Sequence, residues 1–394
     1  MPTVDTSQRE VWEQPELVLG PLMRDGVRAA RTTSPPGTML LGADTVHAAF
    51  GDNRLGAPSA ELLERTGWDE GPFVDWFRNA TVHIDPPDHT RLRALVSRAF
   101  TPRSVQRFRE TAERIAEDLC DTVEPDADFD FTNRFARLLP LRVICELLGI
   151  DDVDAERVGR WSSTLGEAMS ASSVAMQKIA DDATLAFTDY TDAVISHRRA
   201  NPSDDLLTVL IQAEEAGDRL SHRELVMLMV QLIFAGHETT QTLLSTGMWR
   251  LLQRPDQLAL LREQPDLIPN AVEEMLRLDP PALVVARIPR ETFELGGTEL
   301  TEGDYVTLSL FSANHDPTRY DDPDSLDVTR EVDRQFAFGF GAHFCVGNHL
   351  ARTEAAVAFE VLLRRFAHVE ESGTSRWAAD TLRGRRDVTI RARP

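Results

Sequence analysis

The stretch from Ser221 to Leu252 constrains the fold more than any other part of the sequence. Ser221 and Glu224 have the spacing of a capping box, and no proline follows before Pro255, so the pattern predicts one continuous helix. About thirty helical residues are roughly 45 Å long, enough to cross a whole domain. The middle of this stretch, residues 225–234, is apolar nearly all round and has to be buried. We therefore expect one large domain over residues 1–394, built around this helix.

Helical periodicity dominates the first two thirds of the chain. Apolar residues at three- and four-residue spacing, among them Phe108 and Ile115, predict an amphipathic helix from Thr101 to Val123. Further helices are predicted over residues 138–148, 154–169, 175–199, 347–366 and in a patch ending near Leu278. Strand-like patterns cover residues 282–306, around the Gly296 and Gly297 turn, and residues 387–391. The fold class is thus mainly α with a smaller β region.

Charge and targeting features narrow the range of partners. The chain has 64 acidic and 42 basic residues, a formal charge of -22, which repels nucleic acid and anionic membranes. Residues 1–16 lack the apolar core of a signal peptide, and no run approaches about 18 apolar residues, so we expect a cytoplasmic protein. Three scattered cysteines, Cys120, Cys145 and Cys345, are too few for a disulfide framework or a zinc cluster.

The most specific segment runs from Phe338 to Gly347 and leads directly into a predicted helix. Gly339 and Gly341 permit a tight loop with exposed backbone, and the helix that follows directs its positive end towards Cys345. Helix N-termini lower the pKa of cysteine, and a thiolate suits an iron ligand. From these residues alone, a buried structural thiol and a reactive nucleophile remain alternatives.

A second segment, from Ala235 to Thr240, places a carboxyl and two hydroxyl groups inside the buried helix. One interpretation is a packing glycine with threonine hydroxyls bonded to carbonyls one turn earlier. However, a buried carboxylate beside a buried hydroxyl is costly unless it is solvated or used. Glu238 and Thr239 are therefore candidate functional residues.

Two further segments carry charged pairs on one helical face. Glu274 and Arg277 are three residues apart, and His89 and Arg93 are four apart. Each pair is compatible with a simple surface position. A His and an Arg one turn apart can also bind carboxylates of a cofactor together.

Taken together, these segments resemble the motifs of bacterial cytochromes P-450. Phe338, Gly341, Cys345 and Gly347 match the haem-binding loop of that family, which implies that Cys345 is the axial iron ligand and that His343 contacts a haem propionate. The segment from Ala235 resembles the oxygen-activating groove, where a small pair opens the helix for dioxygen. In that groove Glu238 and Thr239 match an acid-alcohol pair that relays protons.

The remaining motifs match the same family. The resemblance implies that His89 and Arg93, with Arg287, bind the propionates. It also implies that Glu274, Arg277 and Arg330 form a structural set that holds the cysteine loop. Departures are small, since Val346 stands where leucine is commoner and Ile288 with Pro289 follows Arg287.

The family resemblance implies the cytochrome P-450 fold, a helical prism with a smaller β-sheet region and haem b between the long helix and the cysteine-loop helix. It implies a monomeric monooxygenase that acts on a small hydrophobic substrate and takes electrons from a separate ferredoxin or flavodoxin. Candidate docking charges are Arg93, Arg98, Arg103 and Arg352. A haem-thiolate peroxygenase and a non-catalytic haem sensor are the alternatives, although neither needs the acid-alcohol pair.

By analogy with where this fold places them, the pocket walls come from five segments. These are residues 55–84, 165–190, 231–240, 283–285 and 377–382. Their apolar side chains, such as Trp76, Phe77, Met169, Leu232 and Val284, favour an aliphatic or polycyclic substrate.

Overall fold

The structure, a computed structural model, describes residues 1–58, 63, 67–99, 102–170, 173–203, 205–215, 220–379 and 382–394. Most of these residues are helical. In chain order the helices are α1 (Glu10–Glu13), α2 (Pro15–Arg24), α3 (Ala43–Phe50), α4 (Pro72–Asn79), α5 (Asp88–Ala99), α6 (Pro102–Cys120), α7 (Leu138–Leu147), α8 (Asp152–Ser170), α9 (Val174–Ala200), α10 (Leu206–Glu215), α11 (His222–Gln253), α12 (Pro255–Glu263), α13 (Ile268–Leu278), α14 (Leu310–Asn314) and α15 (Asn348–Arg365).

The predicted long helix is α11, and its start has the predicted cap. The Ser221 hydroxyl accepts a hydrogen bond from the Glu224 N–H at 3.3 Å, while the Glu224 carboxylate accepts one from the Ser221 N–H at 2.8 Å. Leu225, Met229 and Ile233 are fully buried. Helices α7, α8, α9 and α15 pack around α11, so the main hydrophobic core surrounds it as its apolar sequence requires.

The strands form small sheets. They are β1 (Thr3–Val4), β2 (Ala29–Thr33), β3 (Pro36–Leu40), β4 (Leu55–Gly56), β5 (Phe129–Asp130), β6 (Val284–Pro289), β7 (Phe293–Leu295), β8 (Thr298–Leu300), β9 (Val306–Ser309), β10 (His368–Glu371), β11 (Arg376–Ala379), β12 (Arg383–Arg386) and β13 (Thr389–Arg393). The largest sheet has the order β1-β2-β3-β9-β6-β4. The mainly α fold with a smaller β region is confirmed.

One face of this sheet borders a cavity and the other borders a core. Thr307 of β9 pairs with Met39 of β3 and with Ala286 of β6, and all three residues line the same cavity. The alternate residues Leu40, Val306 and Leu308 point to a second hydrophobic cluster. Ile288 and Pro289 depart from the family's sequence pattern, but β6 stays regular there. The strand continues through both residues and pairs with β4.

Sequence periodicity missed several short strands. The hairpin of β2 and β3 and the hairpin of β11 and β12 have weakly alternating sequences, so neither was predicted. The first hairpin belongs to the large sheet because β3 pairs with the distant β9, whereas β11 and β12 form a two-stranded sheet of their own.

Candidate functional site

The loop before α15 is closed by backbone contacts. The N–H of Cys345 donates to the Phe338 carbonyl at 3.0 Å, and the Asn348 amide donates to the Cys345 carbonyl at 2.8 Å. Gly341 has a φ of 73°, and a Cβ atom there would lie 2.7 Å from the Phe50 carbonyl oxygen. Only glycine meets both demands, so the tight loop predicted from the sequence is present.

The predicted depression of the Cys345 pKa is wrong for this structure. Burial raises the pKa of the Cys345 thiol, whereas the Gly347 N–H and the charges of Arg93 and Arg352 act in the opposite direction. Desolvation of the anion outweighs the helix end and the two guanidinium groups. At Cys120 and Cys145, neighbouring groups offset the desolvation less, and burial raises the pKa of each thiol to about 12.

A narrow, mostly apolar cavity of about 140 Å³ lies between α11 and the cysteine loop. Cys345, Phe338 and Gly347 line one side of it, and Ala235 and Thr239 line the other. The structure thus brings together residues that are about 110 positions apart in the sequence. This slot is the candidate cofactor site.

The α11 side of the cavity is open because its residues are small. Ala235 is exposed to the slot, and the Thr239 hydroxyl donates to the Ala235 carbonyl at 2.9 Å. Gly236 also lines the slot, and a Cβ there would lie 3.4 Å from Ile144, an ordinary packing distance. The intrahelical bond anticipated for the threonines is therefore present at Thr239, which still lines the cavity.

Glu238 faces a different compartment. Its carboxyl lines a polar pocket of about 240 Å³ together with Ser163, Glu167 and Arg386. Burial raises the pKa of Glu238, while a hydrogen bond from Ser163 and the charge of Arg386 lower it. The expected acid and alcohol are thus adjacent in the chain but belong to separate pockets.

Basic side chains cluster beside the slot. The rings of His89 and His343 lie 4.1 Å apart, and Arg93 donates to the Phe344 carbonyl. Burial lowers the pKa of His343 to about 3, helped by the charges of His89, Arg287 and Arg93. Among the described residues, the buried Nδ1 of His89 has no hydrogen-bond partner.

Positive groups predominate in this cluster. Arg287 is 6% exposed, its bonded oxygen is the neighbouring Ala286 carbonyl at 2.8 Å, and burial lowers its pKa. The charge of Asp85 acts on His89, Arg287 and His343, but the basic groups outnumber this one carboxylate. With a buried nitrogen still unpartnered, the cluster can accept further negative charge. A mostly apolar slot lined by a thiol, with carboxylate-binding groups close to the cysteine loop, fits haem b.

The charged set on α13 has the predicted geometry. Glu274 and Arg277 are fully buried and form two bonds of 2.6 and 2.9 Å, and Arg330 reaches Glu274 at 3.0 Å. Arg277 also donates to the Asn314 carbonyl at 3.0 Å. The side-chain oxygen of Asn314 in turn accepts from the N–H of Phe336 at 2.6 Å, just before the cysteine loop. These bonds connect the set to the loop.

A larger cavity of about 620 Å³ lies over the sheet face that carries Thr307. Three of the predicted wall segments contribute to it, through Val82 and His83, through Met169, and through residues 283–285. Leu232 lines the slot, as expected. Trp76 and Phe77 are 1% and 0% exposed and line neither the slot nor this cavity, so their prediction as wall residues of these cavities is wrong.

The last predicted wall segment has a different place. Ala378 and Leu382 line the polar pocket beside Glu238, and residues 380 and 381 lie outside the described ranges. Ser163 and Arg386 also line this pocket, although neither lies in a predicted wall segment. They come from separate segments without a local motif, so only the tertiary fold brings them in.

The candidate docking arginines are less free than expected. Arg352 pairs with Glu273 at 2.5 Å, and Arg93 is half-buried beside Cys345. The side chains of Arg98 and Arg103 lie outside the described residues. Among the residues that the structure describes, no helix has the length and apolar character needed to cross a bilayer.

Comparison with known proteins agrees with this geometry. The family model described as Cytochrome P450 matches residues 165–385. Cytochrome P450 107B1 of Saccharopolyspora erythraea is 41% identical over 84% of this chain and 78% of its own length. Mycinamicin IV hydroxylase/epoxidase of Micromonospora griseorubida is 39% identical over 82% of this chain and 80% of its own.

A solved structure supports the same relationship at the level of the fold. The crystal structure of CalO2 superimposes with a TM-score of 0.93 at 29% identity and covers 100% of both chains. Similarity at this level extends over the helices that carry the slot and over the sheets beside it.

Proposed function

Because the chain belongs to the cytochrome P450 family, we propose that Cys345 is the axial ligand of its haem b. The chain is a haem-thiolate monooxygenase that inserts one oxygen atom of O2 into a small organic substrate. The observation that carries the residue assignment is that Cys345 and Thr239 line opposite sides of one narrow cavity. Haem bound through a thiolate supplies the redox chemistry that activates dioxygen.

The residues of the slot divide the remaining tasks. Phe338, Gly347 and Ala235 shape its apolar walls, and Ala235 leaves space where a larger side chain would block the α11 side. His89, Arg93, Arg287 and His343 bind the two propionates, which removes the repulsion within the basic cluster. An anion beside His89 also gives its orphaned Nδ1 a partner.

Thr239 and Glu238 handle protons. The reaction consumes two protons and two electrons for each substrate oxidised, because the second oxygen atom leaves as water. The Thr239 hydroxyl is held at 2.9 Å from the Ala235 carbonyl, within the cavity, and can donate a hydrogen bond there after rotation. Glu238 supplies protons from the polar pocket on its own side of α11.

The substrate we propose is a largely apolar compound of macrolide or other polyketide type. Its site is the 620 Å³ cavity, within the usual range of about 300–1,000 Å³ for ligand pockets. Met169, Leu283 and Val284 give this cavity apolar walls. The relative from Micromonospora griseorubida is named as a hydroxylase and epoxidase of mycinamicin IV.

Electrons come, in this proposal, from a separate ferredoxin or flavodoxin with its reductase, and the enzyme works as a monomer of one domain in the cytoplasm. Arg352, whose guanidinium lies 4.4 Å from the centre of the Phe338 ring, remains a docking candidate, although its pairing with Glu273 weakens its attraction for an acidic partner.

Turnover with different oxidants tests the function. Mycinamicin IV and a panel of hydrophobic compounds are first screened for the shift of the haem iron from low to high spin. Binders are then incubated with O2, NADH, ferredoxin and ferredoxin reductase, or with hydrogen peroxide alone. Product that depends on the donor system supports the monooxygenase, whereas product from peroxide alone identifies a peroxygenase. Haem binding without product in either arm identifies a sensor.

A further inference from the structure

The carboxyl of Glu238 fits against α8 because residue 166 has no side chain. A Cβ atom at Gly166 would lie 2.9 Å from Oε2 of Glu238, closer than real Cβ contacts allow. The nearest atom of Phe234 would be 3.4 Å away, which is ordinary packing. The steric demand for glycine therefore comes from the acid.

Polar groups on both sides complete this notch. Ser163, three residues before Gly166 on α8, gives a hydrogen bond to the Glu238 carboxyl, and Glu167 follows Gly166 directly. Arg386 of β12 faces the same pocket from the C-terminal hairpin. The carboxyl is thus held among a hydroxyl, a cation and a second acid.

We propose that the notch at Gly166 on α8, with Ser163 and Arg386, positions the Glu238 carboxyl for proton supply. The inference rests on the proposed proton role of Glu238. From the notch, the acid gives up the proton on one carboxyl oxygen towards Thr239, which faces the slot, and regains a proton from solvent in the polar pocket. Glu238 is unchanged over the cycle, and Gly166 acts as a positioning residue.

The test replaces Gly166 with Ala in the full-length holoenzyme. The new methyl group collides with Oε2 and forces the carboxyl out of the notch. Gly159→Ala is the matched control. Gly159 is also on α8, but a Cβ there would meet Cδ2 of Leu141 at 2.7 Å and no acid. Ser163→Ala is a second variant that removes the hydrogen bond without adding volume.

Two readouts are measured for each variant. The first is the infrared carboxyl band of Glu238, recorded over both the acid and the carboxylate regions and assigned by its loss in Glu238→Gln. The second is the peroxide released per NADH oxidised, with mycinamicin IV as the probe ligand, in H2O and in D2O. We expect Gly166→Ala to shift the infrared band and to lower coupled turnover by about tenfold, with a larger solvent isotope effect. Gly159→Ala should match the wild type in both.

The outcomes separate the two ideas. If Glu238→Gln uncouples turnover and Gly166→Ala adds nothing to it in the double variant, the notch acts through the acid. If Gly166→Ala behaves like Gly159→Ala and leaves the infrared band in place, the positioning idea is overturned while the role of Glu238 stands. If Glu238→Gln itself keeps full coupling, the proposed role of Glu238 is wrong and the notch has no part in proton supply.

Discussion

The backbone N–H of Cys345 donates to the carbonyl of Phe338 at 3.0 Å, and this bond closes the loop through main-chain atoms. The Asn348 side chain adds a bond to the Cys345 carbonyl at 2.8 Å. A change confined to the Cys345 side chain therefore leaves the loop geometry in place and tests ligation alone.

Replacing Cys345 with Ser should abolish the red-shifted absorption of the reduced carbonyl complex. The hydroxyl is a much weaker acid than the thiol and does not supply an anionic sulfur ligand, so monooxygenase turnover should fall below detection. The measurement is the carbonyl difference spectrum of purified protein, with thermal unfolding as a check on folding.

Cys145→Ser is the matched control. Cys145 is 1% exposed and lies on α7, and the same loss of one sulfur there should keep the red-shifted band. A band that survives in Cys345→Ser would remove the ligand assignment.

Thr239→Ala should preserve haem and substrate binding but divert electrons to peroxide. Its hydroxyl lines the slot, and the helix keeps its own backbone bonds without it. We expect coupled product to fall on the order of tenfold or more, in line with the contribution of a positioned proton-transfer group. Peroxide and product are counted against NADH consumed.

Thr242→Ala provides the comparison. The Thr242 hydroxyl makes the same kind of intrahelical bond, to the Glu238 carbonyl at 2.8 Å, and packs near Gly384. Its loss should leave coupling intact. Equal coupling in wild type and Thr239→Ala would argue against the relay.

Local spacing predicted the long helix and the tight loop, whereas the set of Glu274, Arg277 and Arg330 followed from the family resemblance. The resemblance also placed Glu238 and Thr239 in one groove. Neighbouring positions on a helix are about 100° apart, however, and the packing of α8 decides where the acid points. The same limit applies to Trp76, whose burial depends on packing against Phe73 and Phe234.

The pKa of Cys345 could not be predicted from the loop alone for a related reason. The sequence contains the helix end and the two arginines, Arg93 and Arg352, but it does not show how deeply the sulfur of Cys345 is buried. Desolvation depends on every neighbour of the sulfur, including residues of α11.

Glu274→Gln should destabilise the protein and weaken haem retention. The carboxylate is fully buried between Arg277 and Arg330, and its loss leaves two guanidinium groups without a counter-charge. Breaking such a buried pair costs about 3–5 kcal/mol. Denaturant unfolding and the rate of haem loss to apomyoglobin measure the two effects.

The neighbouring Glu273→Gln serves as the control. Glu273 pairs with Arg352, but both side chains are partly exposed, so the change should cost less than about 1 kcal/mol. If both variants lost the same free energy of unfolding, burial of Glu274 and its arginines would add no stability beyond that of a partly exposed pair.

Asp279 should make stability depend on pH in the acid range. Burial alone would raise the pKa of Asp279, but Arg250 and Arg383, at 2.7 Å each, together lower it. A carboxyl whose pKa is lower in the folded state stabilises the fold fully above its unfolded pKa of about 3.9. That contribution disappears as the pH falls from there towards the folded value.

Asp279→Asn should therefore lower the free energy of unfolding by about 3–5 kcal/mol at pH 7, because Arg250 and Arg383 both lose the Asp279 carboxylate. It should also flatten the fall in stability between about pH 5 and pH 3, since one proton fewer is taken up on unfolding. Urea unfolding at several pH values measures both, and the exposed Asp266→Asn should give a curve parallel to that of the wild type. If Asp279→Asn also gave a parallel curve, Asp279 would have the same pKa in the folded and unfolded states, and the two arginines would not hold its charge.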